Sequence, residues 1–535
     1  MKLLTLWLER TADRFNPILV KETRQALKSR QFTTTFMLLL VASLIVSFGG
    51  VALAGPNIDY QSTGSMFFVA YFAVLAFAIF VVVPFGAYRS LAAEQEERTY
   101  ELLSITTLRP GQIVTGKLLT AIIQMFIYFS AIAPFMAFTY LLRGIDMPSI
   151  MYVLIVALLT SIGFSMVGLF VATFATRRGW QVLLSVMMII GLASATIGSV
   201  FMAALILEHV GGAFRQTEFW IAMGCLFTAY VTTFALLFQL GVSQLTFESD
   251  NRTLRVRLMV MVQFFAAVAW VGWAWVMELQ GEREFLEAMS MLGCFYLAIA
   301  GAFLVAEPEG ISRRVAREIP RTGWKRTLTG LLYPGPGTGL AFTLVHLVVI
   351  AAIVLLAEMT EAWAVVNYRP RGTRGEASAM ALAMTSYVFF YLAVGALVVQ
   401  TLRRFRPVPA VAGAALTAAL AAAGSLIPNF FVMTLSPIQY KTYEIWQITD
   451  PFTTTMHISK DSNFESPVLW VVVTMAGIGF LLTVRLMARS VSTLAWLATN
   501  THRQSSDADE AGQPAAPWLE SAEVLNITKP CQVET

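Results

Sequence analysis

Charge is what this sequence has least of. Only 13% of its 535 residues are Asp, Glu, Lys or Arg, while 57% are hydrophobic, and the mean hydropathy is +0.67. Soluble domains carry about 25% charged residues, so a soluble enzyme and a disordered scaffold are both excluded. Cysteine is also scarce, with three residues in the chain, which excludes a disulfide framework. The four histidines, His209, His346, His457 and His502, are scattered over unrelated segments. There is no HExxH, and no Cys/His pair has metal-ligand spacing. What remains is a polytopic membrane protein.

A helix needs about 20 apolar residues to cross a bilayer. Twelve stretches free of Asp, Glu, Lys and Arg qualify: 32–54, 66–88, 118–142, 150–176, 181–207, 219–242, 258–277, 288–305, 339–357, 379–402, 408–433 and 468–484. They are long and do not alternate, so they read as helices rather than barrel strands. The expected fold is all-α, with about 12 transmembrane helices. If the N-terminus is cytoplasmic, the inside segments total 168 residues and hold 29 of the 37 lysines and arginines; the outside loops total 94 residues and hold eight. That is the positive-inside asymmetry, although Arg369, Arg371 and Arg374 of the outside loop 358–378 run against it. An even number of spans then places both termini in the cytoplasm. The apolar stretch 32–54 and the 31 residues before it are too long for a signal peptide. The basic residues sit at membrane edges, where they meet anionic lipid, so the net charge of +4 does not point to nucleic acid.

The organisation expected along the chain begins with an interfacial helix over 1–31, where Asn16 and Pro17 restart the chain and Pro17 suits a helix start. A six-span core follows over 32–242, with a cytoplasmic loop at 89–117. Residues 243–257 form a polar linker. A second six-span region covers 258–488, and 489–535 form a polar tail expected to be disordered. Equal span numbers hint at duplication, but no residue-level repeat links the halves.

The spans contain no acid or base, and His346 is the one ionisable side chain well inside a span. A lone histidine of this kind is more often packed than a proton relay. Ion-coupled transport through intramembrane charges is therefore disfavoured, while ion sites built from hydroxyls and backbone remain open. One decoy needs removing. Residues 111–117, GQIVTGK, fit GxxxxGK, but Leu118 follows where a phosphate loop needs Ser or Thr for magnesium. Lys117 reads instead as a lysine snorkelling to the inner interface.

The most informative stretch is EQEERTYELLSITTLRPGQIVTGK, residues 94–117, between the second and third spans. Leu102, Leu103 and Leu108 form a small apolar patch among charges, ended by Pro110 and Gly111, which suits docking in a groove on a soluble partner. An ordinary charged loop whose leucines pack back on the spans is the alternative. The stretch resembles the coupling loop of ABC-2-type ATP-binding cassette transporter permeases. Glu94, Glu96 or Glu97, Thr99, Glu101, Leu102, Leu103, Thr106, Pro110, Gly116 and Lys117 match that pattern. Arg98 stands where the family has Gly, and Thr107 where it has Pro. The basic segment before the first span is similar to the family's elbow helix. The resemblance covers about residues 1–242.

The resemblance implies a membrane-spanning subunit, most often an exporter, of a bacterial-type plasma (inner) membrane. It implies docking of a separate cytoplasmic nucleotide-binding ATPase subunit through Glu94, Glu97, Thr99, Glu101, Leu102 and Leu103, with Pro110, Gly116 and Lys117 setting the chain's re-entry into the membrane. ATP and Mg would be held by that partner, leaving no cofactor, metal or catalytic residue in this chain. A homo- or heterodimer with another permease, contact with membrane lipid and no nucleic acid complete the expectation. The 306–338 segment, which would be the second coupling loop of a fused pair, lacks the acidic leucine element, so the second half reads as accessory or as a degenerate second permease. A membrane scaffold without transport and an ion-coupled secondary transporter are the rival classes.

Overall fold

In lipid the backbone finds no hydrogen-bond partner but itself, so long apolar stretches must become helices or closed barrels. The computed structural model describes residues 17–54, 63–96, 109–142, 144–175, 178–247, 249–277, 283–320, 322–364, 376–435, 443, 445–460 and 466–510. Among these residues there is no strand, and twelve helices are long and apolar enough to cross a membrane. The protein is an integral, multi-pass membrane protein. It divides into two compact units, Met1–Thr246 and Phe247–Thr535.

In the first unit α1 is Pro17–Leu27 and α2 is Arg30–Ala54. The second span comprises α3, Gly64–Ala76, a π-helical turn at Phe77–Val82, and α4, Val83–Glu96. Then come α5 (Pro110–Leu141), α6 (Met147–Ala172), α7 (Arg178–Ala213) and α8 (Thr217–Leu245). In the second unit α9 is Leu254–Met277, α10 Arg283–Val305, α11 Arg313–Arg317 and α12 Gly323–Gly330. They are followed by α13 (Pro336–Ala364), α14 (Glu376–Arg403), α15 (Ala410–Leu435), a 3₁₀ turn at Ile445–Thr449, α16 (Pro451–Lys460) and α17 (Pro467–Glu510).

Seven pairings of the second to sixth spans recur in the two units, whereas the first span packs closely on the second and third in the first unit and only loosely in the second. Counting within each unit, the second span packs on the third, fourth and fifth; the fourth also packs on the third, fifth and sixth; and the third packs on the sixth. The units differ in emphasis. The second span is the most enclosed in the first unit, and the fourth span, α14, in the second.

The π turn of the second span has a local cause. Pro84 lacks an amide hydrogen and its ring crowds the preceding turn, which widens at Phe77–Val82. The Ile79 carbonyl is then met from α6, where the Ser161 hydroxyl donates to it at 2.6 Å. α6 approaches closely here because residue 168 is glycine; a Cβ there would lie 2.8 Å from the Pro84 carbonyl oxygen. Small residues at such crossings are how lipid-embedded helices gain packing energy. In the second unit, His346 sits among Phe264, Phe265 and Phe342. Its Nδ1 lies 2.8 Å from the Phe342 carbonyl oxygen, so it is a packed histidine.

The α17 helix has 44 residues and continues past 489, where the sequence alone suggests a disordered tail. Residues 489–510 are helical, and Leu494 and Leu497 pack with Val315, Ala316, Ile319 and Tyr333. Residues 511–535 lie outside the described residues.

Between α15 and α17 the chain folds back over its own unit. Asp450 caps α16, accepting from the Thr453 amide at 3.1 Å and its hydroxyl at 2.6 Å. Ser425 donates to it at 2.5 Å and Asn429 at 2.9 Å, both from α15. The Tyr387 and Tyr391 hydroxyls of α14 donate to the carbonyls of Ile448 and Thr449. Burial pushes the Asp450 carboxyl up, but the donors from Ser425, Thr453 and Asn429 outweigh it and hold it below its ordinary value of 3.8. Its contribution is therefore complete above that ordinary value and is lost as pH falls through the lower, folded one. Hydrogen exchange over 445–460 should be flat with pH at neutrality and accelerate, after correction for intrinsic rates, only below about pH 4. Asp450→Ala should cost about 1–2 kcal/mol of local protection at neutral pH. Unchanged exchange in that variant would mean that the cap does not hold the segment.

Candidate functional site: the roots of the 94–117 loop

The loop expected to couple the chain to a partner begins at the end of α4 and returns at the start of α5. Glu97, Thr99, Glu101, Leu102 and Leu103 lie outside the described residues. Glu94, Glu96, Pro110, Gly116 and Lys117 are described, and they define the two roots of the loop.

The returning root starts sharply. Pro110 occupies the first turn of α5, where its missing amide hydrogen costs nothing. The amide of Arg109 donates to the Gln112 side chain at 2.9 Å. From there the helical period places Gly116, Lys117 and Thr120 on or beside one buried face. That face receives α1, the helix preceding the first span, and α1 packs along α5. The hydroxyls of Thr23 and Thr120 meet at 3.2 Å.

Lys117 is the centre of the junction. Its side chain is 1% exposed. Nζ donates to Glu94 Oε1 at 2.9 Å, to Glu22 Oε1 at 3.3 Å and to the Ser90 carbonyl at 3.3 Å. One ammonium thus ties together α1, α4 and α5. The sequence reading of Lys117 as a snorkelling residue is corrected by this placement. With two carboxylates in reach, the ammonium finds its counter-charge inside the protein and has no need of the interface. Glu94, expected to face a docking partner, directs its Oε1 to Lys117. Glu96 reaches sideways and accepts from Arg178 Nε, at the start of α7, at 3.0 Å.

Residues 111–117, the phosphate-loop lookalike, are helical within α5. Their Lys117 is engaged by carboxylates, so they form no phosphate cradle. Beside the junction lies a cavity of about 280 Å³ whose lining includes Gln25, Ser29, Arg89, Lys117 and Gln124. Its lining is mixed, since Phe32, Val82, Ala121 and Tyr128 also face it. Among the described residues, no three His, Cys, Asp or Glu side chains converge as a metal site would require.

A second charged junction, in the other unit, is absent from the sequence-level expectation. Arg257, in the first turn of α9, is fully buried. Its Nη2 donates to Glu307 Oε2 at 2.7 Å and to the Gly335 carbonyl at 3.2 Å. Its Nη1 donates to the Leu331 carbonyl at 2.6 Å and to Thr338 Oγ1 at 3.1 Å. Glu307 Oε2 also accepts from the Gly335 amide at 3.0 Å, and Gly335 has the positive φ of 142° that favours glycine. The only sequence signal for this site was a pair of unlike charges at two span ends, which local patterning does not connect.

Comparison with protein-family models, with curated proteins and with solved structures gave no match.

Proposed function

We propose that this chain is the membrane-spanning subunit of an ABC-2-type transporter, an exporter driven by separate ATP-binding subunits that dock on the 94–117 loop. ATP and Mg reside in those subunits, and the chain itself performs no hydrolysis. The excess of Lys and Arg on one set of loops puts the 94–117 loop, both termini and the docking partner on the cytoplasmic side of a bacterial-type plasma membrane. A second permease completes the transport path.

The observation that carries this is the junction at Lys117. It joins both roots of the loop to α1, which lies where an elbow helix would. A force applied to the loop reaches the ends of the second and third spans and α1 through one buried cluster of charges. Coupling of this kind needs a contiguous rigid connection between the two sites. The elements moved are packed helices, which shift between discrete access states rather than deforming continuously.

The test is reconstitution in vesicles with the ATPase subunit. ATPase activity should rise when the chain is co-assembled. The double variant Glu101→Ala with Leu102→Ala should insert normally and lose about tenfold of that stimulation, equivalent to about 1.4 kcal/mol of coupling. If the double variant co-purifies with the ATPase and works at the normal rate, the docking assignment is wrong. Transport driven by an ion gradient with no ATPase present would move the chain to the secondary-transporter class.

A further inference from the structure

We infer that residues 254–497 are a second copy of the six-span unit whose coupling loop has been locked onto its own helices, so that each chain offers an ATPase subunit one docking loop rather than two. The claim about docking rests on the proposed function; the claim of duplication does not.

Two observations carry the duplication. The first is the recurrence of seven pairings among the second to sixth spans in the two units. Five helices can be paired in many ways, and these seven shared pairings, each at the same ordinal positions, describe one five-helix core. The second is the charged junction. In the first unit, Glu22 ahead of the first span, Glu94 at the end of the second and Lys117 at the start of the third meet in one ion-paired cluster. In the second unit, Arg257 at the start of the first span meets Glu307, just past the end of the second, and Gly335 and Thr338 at the start of the third. The same three chain ends converge, with the signs of the charges redistributed among them.

The loop between those roots has diverged. In the first unit the chain leaves α4 at Glu96 and returns at Arg109, and the acidic leucine element lies in between. In the second unit the corresponding segment folds back. Val315, Ala316, Ile319 and Tyr333 turn onto Leu494 and Leu497 of α17. The Ser312 hydroxyl donates to the Ser249 carbonyl, and Arg314 pairs with Asp250 at 2.8 Å. Arg257 holds the end of the segment through the Leu331 and Gly335 carbonyls. Val315, Ala316, Ile319 and Tyr333 are turned inward here, while Trp324 stays exposed, and the tethers hold the segment to its own unit.

Photo-crosslinking in the full-length chain tests this. p-Benzoylphenylalanine is placed at Leu102 or at Trp324, an exposed side chain on α12, in cells that also carry the ATPase subunit. Adducts are identified by the phosphate-loop peptide of the captured protein, and the ratio of subunits is read from the native mass of the purified complex. The expected result is an ATPase adduct from position 102, none from position 324, and one ATPase protomer per chain. An adduct with the same ATPase from 324, or two protomers per chain, overturns the single-loop assignment and leaves the transporter reading standing. No phosphate-loop protein captured at either position overturns the transporter reading and the single-loop assignment together.

Discussion

Replacing Arg257 with methionine should cost the second unit about 3–5 kcal/mol, the range expected when one partner of a buried ion pair is removed. Methionine keeps much of the apolar stem, so the loss falls on the guanidinium. Its removal takes the guanidinium donor from the Leu331 carbonyl, leaves the Gly335 carbonyl with the Gly339 amide and the Thr338 hydroxyl, and leaves Glu307 with the Gly335 amide but no counter-charge. Thermal unfolding of the detergent-solubilised chain should show a lower midpoint, and limited proteolysis should open first within 306–338. The double variant Arg257→Met with Glu307→Met should recover part of the loss, because an apolar pair can replace a buried ion pair at little cost. The coupling energy from that cycle separates the pair itself from the packing around it. An Arg257→Met protein that melts and digests like the parent would show that the junction does not hold the segment.

Hydropathy made the spans legible one by one. Each of the twelve charge-free stretches lies within or overlaps one of the twelve long helices. The ends are less legible, because a criterion that stops at the first charge stops before the helix does. The stretch 66–88 belongs to a span reaching Glu96, and 468–484 to a helix reaching Glu510. Such a criterion leaves Glu94 and Glu96 in a loop, although the helix continues through them. The same cut separated Arg257 from the span it begins, and made it look like one more base at a membrane edge.

The junctions were invisible for a different reason. Lys117 is 95 residues from Glu22 and Arg257 is 50 residues from Glu307. Neither distance leaves a periodic trace, and neither pair forms unless three helices have already packed. Topology also outlasts side-chain identity. The second and fourth spans meet through Pro84 and Gly168 in one unit, and through Gly301 and Leu392 in the other. A search for repeated residues finds nothing at such positions, whereas the order of packing persists. What the sequence did carry was the returning root of the loop, since Pro110 suits the first turn of a helix by local chemistry alone, although Gly116 and Lys117 lie about two turns inside that helix.

Lys117→Met should cost the first unit about 2–3 kcal/mol, less than the loss at Arg257. Lys117 itself is 1% exposed, but its partners Glu22 and Glu94 are 15% and 19% exposed. Water can therefore reach the two carboxylates once the ammonium is gone, and the penalty of losing it is reduced. The two carboxylates would still repel each other across the vacated space, so α1 is the element expected to move. It packs chiefly on α5, where the hydroxyl contact between Thr23 and Thr120 also ties it. Hydrogen exchange over 17–27 should rise by at least tenfold in Lys117→Met, while the interior of α6 stays protected. Glu22→Gln should give a smaller rise, because Glu94 still holds the ammonium at the shorter distance. In the reconstituted complex the two variants should rank in the same order for loss of stimulated ATPase activity, if the force on the loop travels through this cluster. Loosening of α1 with no loss of stimulation would leave the junction a structural clasp and remove it from the coupling path.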